Sequence, residues 1–184
     1  MDSHFFMDFT QRIRSKYLGS VGRFLIRLRI SANILTIISL IFGVISVYFL
    51  FKDYWLFVLF IALHYTFDSL DGVVARLTKP TKFGYYLDHI GDQLIALLLL
   101  AAIYFKINDY FVLIILGLAI ITAVIYFSAD TKIPVAFVRS PLAITLLFLP
   151  LFSWVPIFAY LFAGVVSVYS LALQLKYFLE RRLS

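Results

Sequence analysis

Four aspartates lie at the margins of strongly apolar runs, where a carboxylate is costly. One run closes on Asp68-Ser-Leu-Asp71-Gly72-Val-Val-Ala75-Arg76. The next opens on Gly84-Tyr-Tyr-Leu-Asp88-His-Ile-Gly-Asp92. A carboxylate at the centre of a bilayer costs about 2.5–3.5 kcal/mol on insertion scales. Four of the chain's ten acids are placed at or near that cost and call for a counter-charge. Divalent metal is the counter-charge that suits them, because ligand sets made only of oxygen select hard cations such as Mg²⁺, Mn²⁺ or Ca²⁺. Two ions between four carboxylates would clamp phosphoryl oxygens and stabilise the attacking and leaving oxygens of a displacement. One aspartate can also take a proton from an attacking hydroxyl. The alternative reading is a set of helix caps and salt bridges to Arg76, Lys79 and Lys82. Caps, however, do not call for four acids in register on two helices.

Helical spacing supports that register. Asp68 and Asp71 are three apart, and Gly72 and Ala75 continue the stripe. Asp88 and Asp92 are four apart, and Gly84 precedes Asp88 by four. Each helix points two carboxylates to one face, and a short turn makes the helices antiparallel neighbours. The small residues Gly72, Ala75, Gly84 and Gly91 either open the backbone to a bulky ligand or permit close helix approach.

The elements that must carry these residues are membrane spans. The chain has 184 residues, 63% hydrophobic and 14% charged, with mean hydropathy +0.99. That composition excludes a soluble domain. A span needs about 20 apolar residues. Six segments are expected to cross: Ser31–Phe51, Tyr54–Val74, Tyr85–Phe105, Tyr110–Ser128, Ile133–Phe152 and Pro156–Phe178. The fifth is interrupted by Pro134, Pro141 and Pro150 and contains Arg139. Residues 4–29 read as an amphipathic helix. Phe5, Phe9, Ile13, Tyr17, Val21, Phe24 and Leu28 recur every three or four positions, with bases on other faces, as suits an interfacial helix. Gly19 and Gly22 are candidate bends in it. The expected organisation is therefore an all-α integral membrane protein, with an interfacial helix over 1–30 and a six-helix domain over 31–184. The N-terminus lacks the pattern of a cleavable signal peptide. Cysteine is absent from the sequence, which excludes disulfides and thiolate metal sites.

Charge distribution sets the expected orientation. Fourteen of the sixteen lysines and arginines fall on the side that would hold both termini and the 77–83 loop. Only Lys52 and Lys106 fall on the other. The positive-inside rule then puts the termini and the aspartates toward the cytoplasm. The bases flank spans and do not interleave with an aromatic platform, so nucleic-acid binding is not expected.

The residues over 68–92 resemble the signature of the CDP-alcohol phosphotransferase family, class I. The match takes in all four acids, Gly72, Gly84, Ala75 and Arg76. Two departures stand out. Seven residues, not the usual eight, separate Arg76 from Gly84. Ser31-Ala32-Asn33-Ile34-Leu35-Thr36 looks like the family's Pro-Asn-x-x-Thr start to the first span, with Ala32 in place of proline. The resemblance implies a Mg²⁺- or Mn²⁺-dependent transfer, with two ions, in which an acceptor hydroxyl attacks the β-phosphorus of a CDP-alcohol and CMP leaves. By similarity, Asp68, Asp71, Asp88 and Asp92 would bind metal, and Asp92 would act as general base. Gly72, Arg76 and Thr81, with Ala75, Gly84 and Asn33, would hold the CDP group. The resemblance also implies a homodimer.

Arg139, a cation in apolar surroundings, is a candidate for gripping an acceptor phosphate, with Lys132 as helper. The alternative is an anchor that snorkels to headgroups. His64, one turn before Asp68, and His89 read better as hydrogen-bonded helix residues than as metal ligands. The expected activity is phosphatidyl (or ether-lipid phosphate) transfer from a CDP-lipid, such as CDP-diacylglycerol, to a small polar alcohol. Glycerol phosphate or inositol phosphate is the favoured acceptor. A membrane prenyltransferase acting on a diphosphate, or a divalent-cation carrier, would use similar acids. A prenyltransferase leaves Gly72-x₂-Ala75-Arg76 unexplained, and a carrier would be expected to show acids or broken helices through the full membrane depth, which the outer halves of these spans lack.

Overall fold

The computed structural model of the chain describes residues 18–129, 133 and 135–183. Seven helices make up the described residues: α1 (18–27), α2 (Ala32–Phe49), α3 (Tyr54–Leu77), α4 (Lys82–Ile107), α5 (Tyr110–Ser128), α6 (Arg139–Leu146) and α7 (Val155–Leu183). Five of them, α2, α3, α4, α5 and α7, are long and apolar enough to cross a membrane. The protein is an all-α integral membrane protein.

The expected fifth span takes a different form. Among the described residues there, only Arg139–Leu146 is α-helical, eight residues long or about 12 Å. Residues 135–137 are irregular. After Leu146 the ladder tightens to i→i−3 bonds, from Leu147 N–H to the Ile144 carbonyl and from Leu149 N–H to the Leu146 carbonyl. Proline explains the short helix. Pro141 sits in the first turn, where its missing N–H costs nothing, and Pro150 cannot extend the ladder.

The chain divides into two compact units, and α2, α3 and α4 each contribute to both. The first unit comprises residues 1–46 and 59–91. Its core is Leu35, Leu70 and Val74, packed against Leu18, Leu25, Ile26 and Phe67. In α2 the usual pattern is inverted. Thr36, Ser39, Gly43 and Ser46, three or four apart, face inward, while Ile34, Ile37, Ile41 and Val44 are exposed. Where the solvent is lipid, small and polar side chains make the helix contacts. Ser39 meets His64 at 2.8 Å from Oγ to Nδ1, so His64 is the hydrogen-bonded helix residue it was read to be.

The described part of the expected interfacial helix is helical through both glycines. Gly22 marks a close approach to α3: a Cβ there would meet the Val73 side chain at 2.8 Å. Val21, Phe24 and Leu28 are exposed. Residues 1–17 lie outside the described residues. The turn into α2 is a Schellman closure. Ile30 N–H bonds the Leu25 carbonyl, Arg29 N–H bonds the Ile26 carbonyl, and Arg29 adopts φ 60°.

The second unit comprises residues 47–58 and 92–184. Helix α7 packs on α5 and α6 through small residues. A Cβ at Gly164 would meet Ile115 at 3.0 Å, and Ala159 and Ala163 are buried. Polar bonds tie the same helices. Gln174 Nε2 donates to the Thr122 carbonyl (3.0 Å), and Ser170 Oγ accepts from Ala136 N–H (3.2 Å). The second of these anchors the irregular stretch three residues before Arg139.

Candidate active site

Two helix starts frame a cavity of about 340 Å³ inside the first unit. Ser31 caps α2, its Oγ accepting from Ile34 N–H at 3.4 Å. Thr81 caps α4, its Oγ1 accepting from Gly84 N–H at 3.0 Å. Both are N-cap chemistry that a sequence can show: a hydroxyl residue immediately before a helical run. The long wall is the face of α3 that carries Asp71, Gly72 and Ala75. The short loop 78–81 closes one end, and Gly84, Tyr85 and Asp88 of α4 face α3.

The cavity gathers most of the residues singled out from the sequence. Asp71, Asp88, Gly72, Ala75, Thr81, Gly84 and Asn33 all line it. The shortened turn is therefore compatible with the expected grouping. The two glycines do different work. A Cβ at Gly84 would lie 2.5 Å from Asn33 Oδ1 and 3.1 Å from Thr81 Oγ1, so Gly84 permits close approach of α2 and α4. Gly91 does the same against Leu40. A Cβ at Gly72 would meet only the guanidinium of Arg76, at 3.3 Å. Gly72 thus presents open backbone beneath a cation, which suits an anionic ligand of some bulk.

Asp71 is 5% exposed and takes a 2.7 Å hydrogen bond from Thr36 Oγ1. Thr36 was not among the residues selected from the sequence as part of the site. The signal was present, since it closes the Asn33-x-x-Thr36 pattern at the start of α2. Asp68 and Asp88 bring carboxylate oxygens within 4.8 Å of each other. Two oxygens bound to one hard cation at roughly 2.1–2.4 Å stand at most about 4.2–4.8 Å apart. The donor set is therefore spaced for such an ion. Asp92 follows Asp88 by one turn of α4 and belongs to the second unit.

In that unit Asp92 has a partner that spacing alone could not show. Arg139 Nη1 lies 2.5 Å from Asp92 Oδ1, and the side chains are 7% and 17% exposed. Arg139 opens α6 and is buried. Lys132 lies outside the described residues. His89 turns toward its own helix, with Nδ1 3.0 Å from the Tyr85 carbonyl oxygen and its ring tilted against that of Tyr85, centroids 4.1 Å apart.

Fold and cavity together define an integral membrane protein whose carboxylates are spaced as a hard cation requires, beside an open stretch of glycine backbone. The family model for CDP-alcohol phosphatidyltransferase matches residues 29–175, most of the chain. The chain belongs to that family, whose members are metal-dependent transferases of phospholipid biosynthesis that use a CDP-alcohol donor and an alcohol acceptor. No curated protein matches the chain as a relative.

Proposed function

We propose that this protein transfers a phosphatidyl or ether-lipid phosphate group from a CDP-lipid, such as CDP-diacylglycerol, to the hydroxyl of a small polar alcohol, with release of CMP. The observation that carries the reading is Gly72. Its backbone is open to the cavity, Arg76 lies over it, and Asp71 and Asp88 share the lining.

Asp68, Asp71, Asp88 and Asp92 would hold Mg²⁺ or Mn²⁺, two ions in the full set. Such ions, when bound, neutralise charge on the diphosphate and on the displaced phosphate. Thr36 fixes the Asp71 carboxylate through its hydrogen bond. Arg76 and the Gly72 backbone take the diphosphate, and Ala75, Thr81, Gly84 and Asn33 shape the space for the nucleotide. Asp92 takes the proton of the acceptor hydroxyl as its oxygen bonds to the β-phosphorus. The bond from that phosphorus to the CMP phosphate breaks, and CMP carries off the electron pair.

Arg139 holds the Asp92 carboxylate and draws an acceptor phosphate to the same place, with Lys132 assisting. That grouping favours glycerol phosphate or inositol phosphate as acceptor. The charge bias puts this chemistry, and both termini, on the cytoplasmic side of a cytoplasmic membrane. The full architecture is six crossings, with the 133–152 segment as the fifth, an interfacial N-terminal helix, and a homodimer as the working form.

The test is CMP release from CDP-diacylglycerol by the purified protein. Glycerol 3-phosphate, inositol phosphate, serine and inositol are supplied in turn with Mg²⁺ or Mn²⁺. The expected result is metal-dependent CMP release together with a lipid product in which the acceptor is joined to the phosphatidyl group. Cation transport in liposomes with no CMP release under any condition would overturn the reading.

A further inference from the structure

A second cavity, of about 380 Å³, lies in the second unit. It sits at the Tyr54 end of α3. Lys52, Asp53, Tyr54, Lys106, Leu149 and Pro156 contribute to its lining. The two lysines are the only bases among the sixteen that fall on this side of the charge-biased topology. One follows the last turn of α2 and the other closes α4.

A base near a helix C-terminus complements the macrodipole, which accounts for each lysine singly. It does not account for both lining one cavity. Nor are their charges neutralised. Among the described residues neither lysine forms a salt bridge. Lys52 Nζ stands 3.5 Å from the centre of the Tyr48 ring, and Lys106 Nζ 5.7 Å from that of Phe51. Asp53 uses one carboxylate oxygen to accept from Leu56 N–H at 3.1 Å. Two lysines and one aspartate leave the lining with one positive charge.

The surroundings indicate where an anion would come from. Trp55, Tyr110 and Trp154, at the starts of α3, α5 and α7, are 77%, 72% and 52% exposed. Aromatic residues of this kind mark the membrane–water interface. Leu149, Pro156 and the buried Leu50 give the cavity an apolar side. We infer that this cavity is a binding site for the phosphodiester headgroup of a membrane lipid, held by Lys52 and Lys106. A single negative charge matches the lining, and apolar walls beside the cations suit a lipid better than a free anion.

The experiment uses the full chain in detergent, titrated with short-chain phosphatidylglycerol and followed by thermal unfolding. The wild type is expected to gain stability with lipid. Lys52→Gln/Lys106→Gln is expected to fold, keep its CMP-releasing activity, and lose at least two thirds of the lipid-induced rise, measured from its own lipid-free unfolding temperature. Leu149→Trp, which fills the cavity and keeps both lysines, is expected to lose the rise as well. A rise of wild-type size in both variants would overturn the site. An equal rise with inorganic phosphate alone would overturn the lipid as its ligand, and so would no rise in the wild type.

Discussion

Arg139, the first residue of α6, is paired with Asp92 in the middle of α4, and both side chains are largely shielded. Removing one member of a shielded pair strands the other, at a cost of about 3–5 kcal/mol for fully buried examples. Arg139→Ala should therefore lower the unfolding temperature and raise the acceptor KM more than the donor KM. Equal changes in the two KM values would remove the acceptor role. Asp92→Asn should abolish transfer while metal-dependent binding of CDP-lipid persists, and full activity would remove its role as base. The double variant Asp92→Asn/Arg139→Gln should recover part of the lost stability and none of the activity. A coupling of about 1–3 kcal/mol is expected between the two sites.

Thr36 should matter through Asp71. Thr36→Val keeps the shape and removes the 2.7 Å bond. Loss of a partner that orients a metal ligand typically weakens metal affinity by about 10–100-fold. The Mn²⁺ concentration for half-maximal activity should rise accordingly, while Thr36→Ser stays near wild type. An unchanged Mn²⁺ dependence in the valine variant would detach Thr36 from the site.

The two signature glycines should separate under the same substitution. Gly84→Ala pushes a methyl into Asn33 and Thr81 and should cost about 1–3 kcal/mol, read as a lower unfolding temperature. Gly72→Ala meets only the movable end of Arg76 and should fold normally. Its effect should fall on the donor KM. If both variants lose stability equally, the open face assigned to Gly72 is wrong.

The Asp109–Tyr160 contact carries a pH signature. Asp109 precedes α5 and lies outside the spans. Its carboxylate accepts from Tyr160 Oη at 2.6 Å and from Phe111 N–H at 2.9 Å. The tyrosine bond, followed by the backbone bond, holds Asp109 below its ordinary carboxylate pKa. A carboxyl depressed in the folded state adds stability above its unfolded pKa and loses it as pH falls through the folded value. Asp109→Asn should thus melt below wild type at neutral pH, and the two melting curves should converge as pH drops beneath the usual carboxylate range. A constant gap down to the lowest pH would contradict this.

What could be read from the chain follows from the range of each interaction. Helical spacing runs over a few residues, and it placed Asp71, Asp88, Gly72, Ala75 and Gly84 on facing walls of one cavity. Apolar length placed the five long helices within a few residues of their bounds. Hydropathy could not show that 133–152 holds one short helix, because the apolar count is unaffected by where prolines cut the ladder. Spacing also left two uses open for glycine, and only the positions of Asn33, Leu40 and Arg76 separate them. The Arg139–Asp92 pair joins helices distant in sequence, and no local periodicity encodes such a meeting. The roles of Thr36 and Ser31 were visible in principle as a motif and a cap, yet each is a small residue whose meaning depends on its partner.

The loop between α3 and α4 has a consequence for biosynthesis. Every residue lining the first cavity precedes residue 92, and the two helices that bear its carboxylates are consecutive. Closing so short a loop costs little chain entropy. All the residues that line this cavity are therefore present once the ribosome has delivered α1 to α4 to the membrane. Arg139 reaches Asp92 only later, when α6 arrives. The order of synthesis supplies the cavity lining first and adds the cation that restrains Asp92 last.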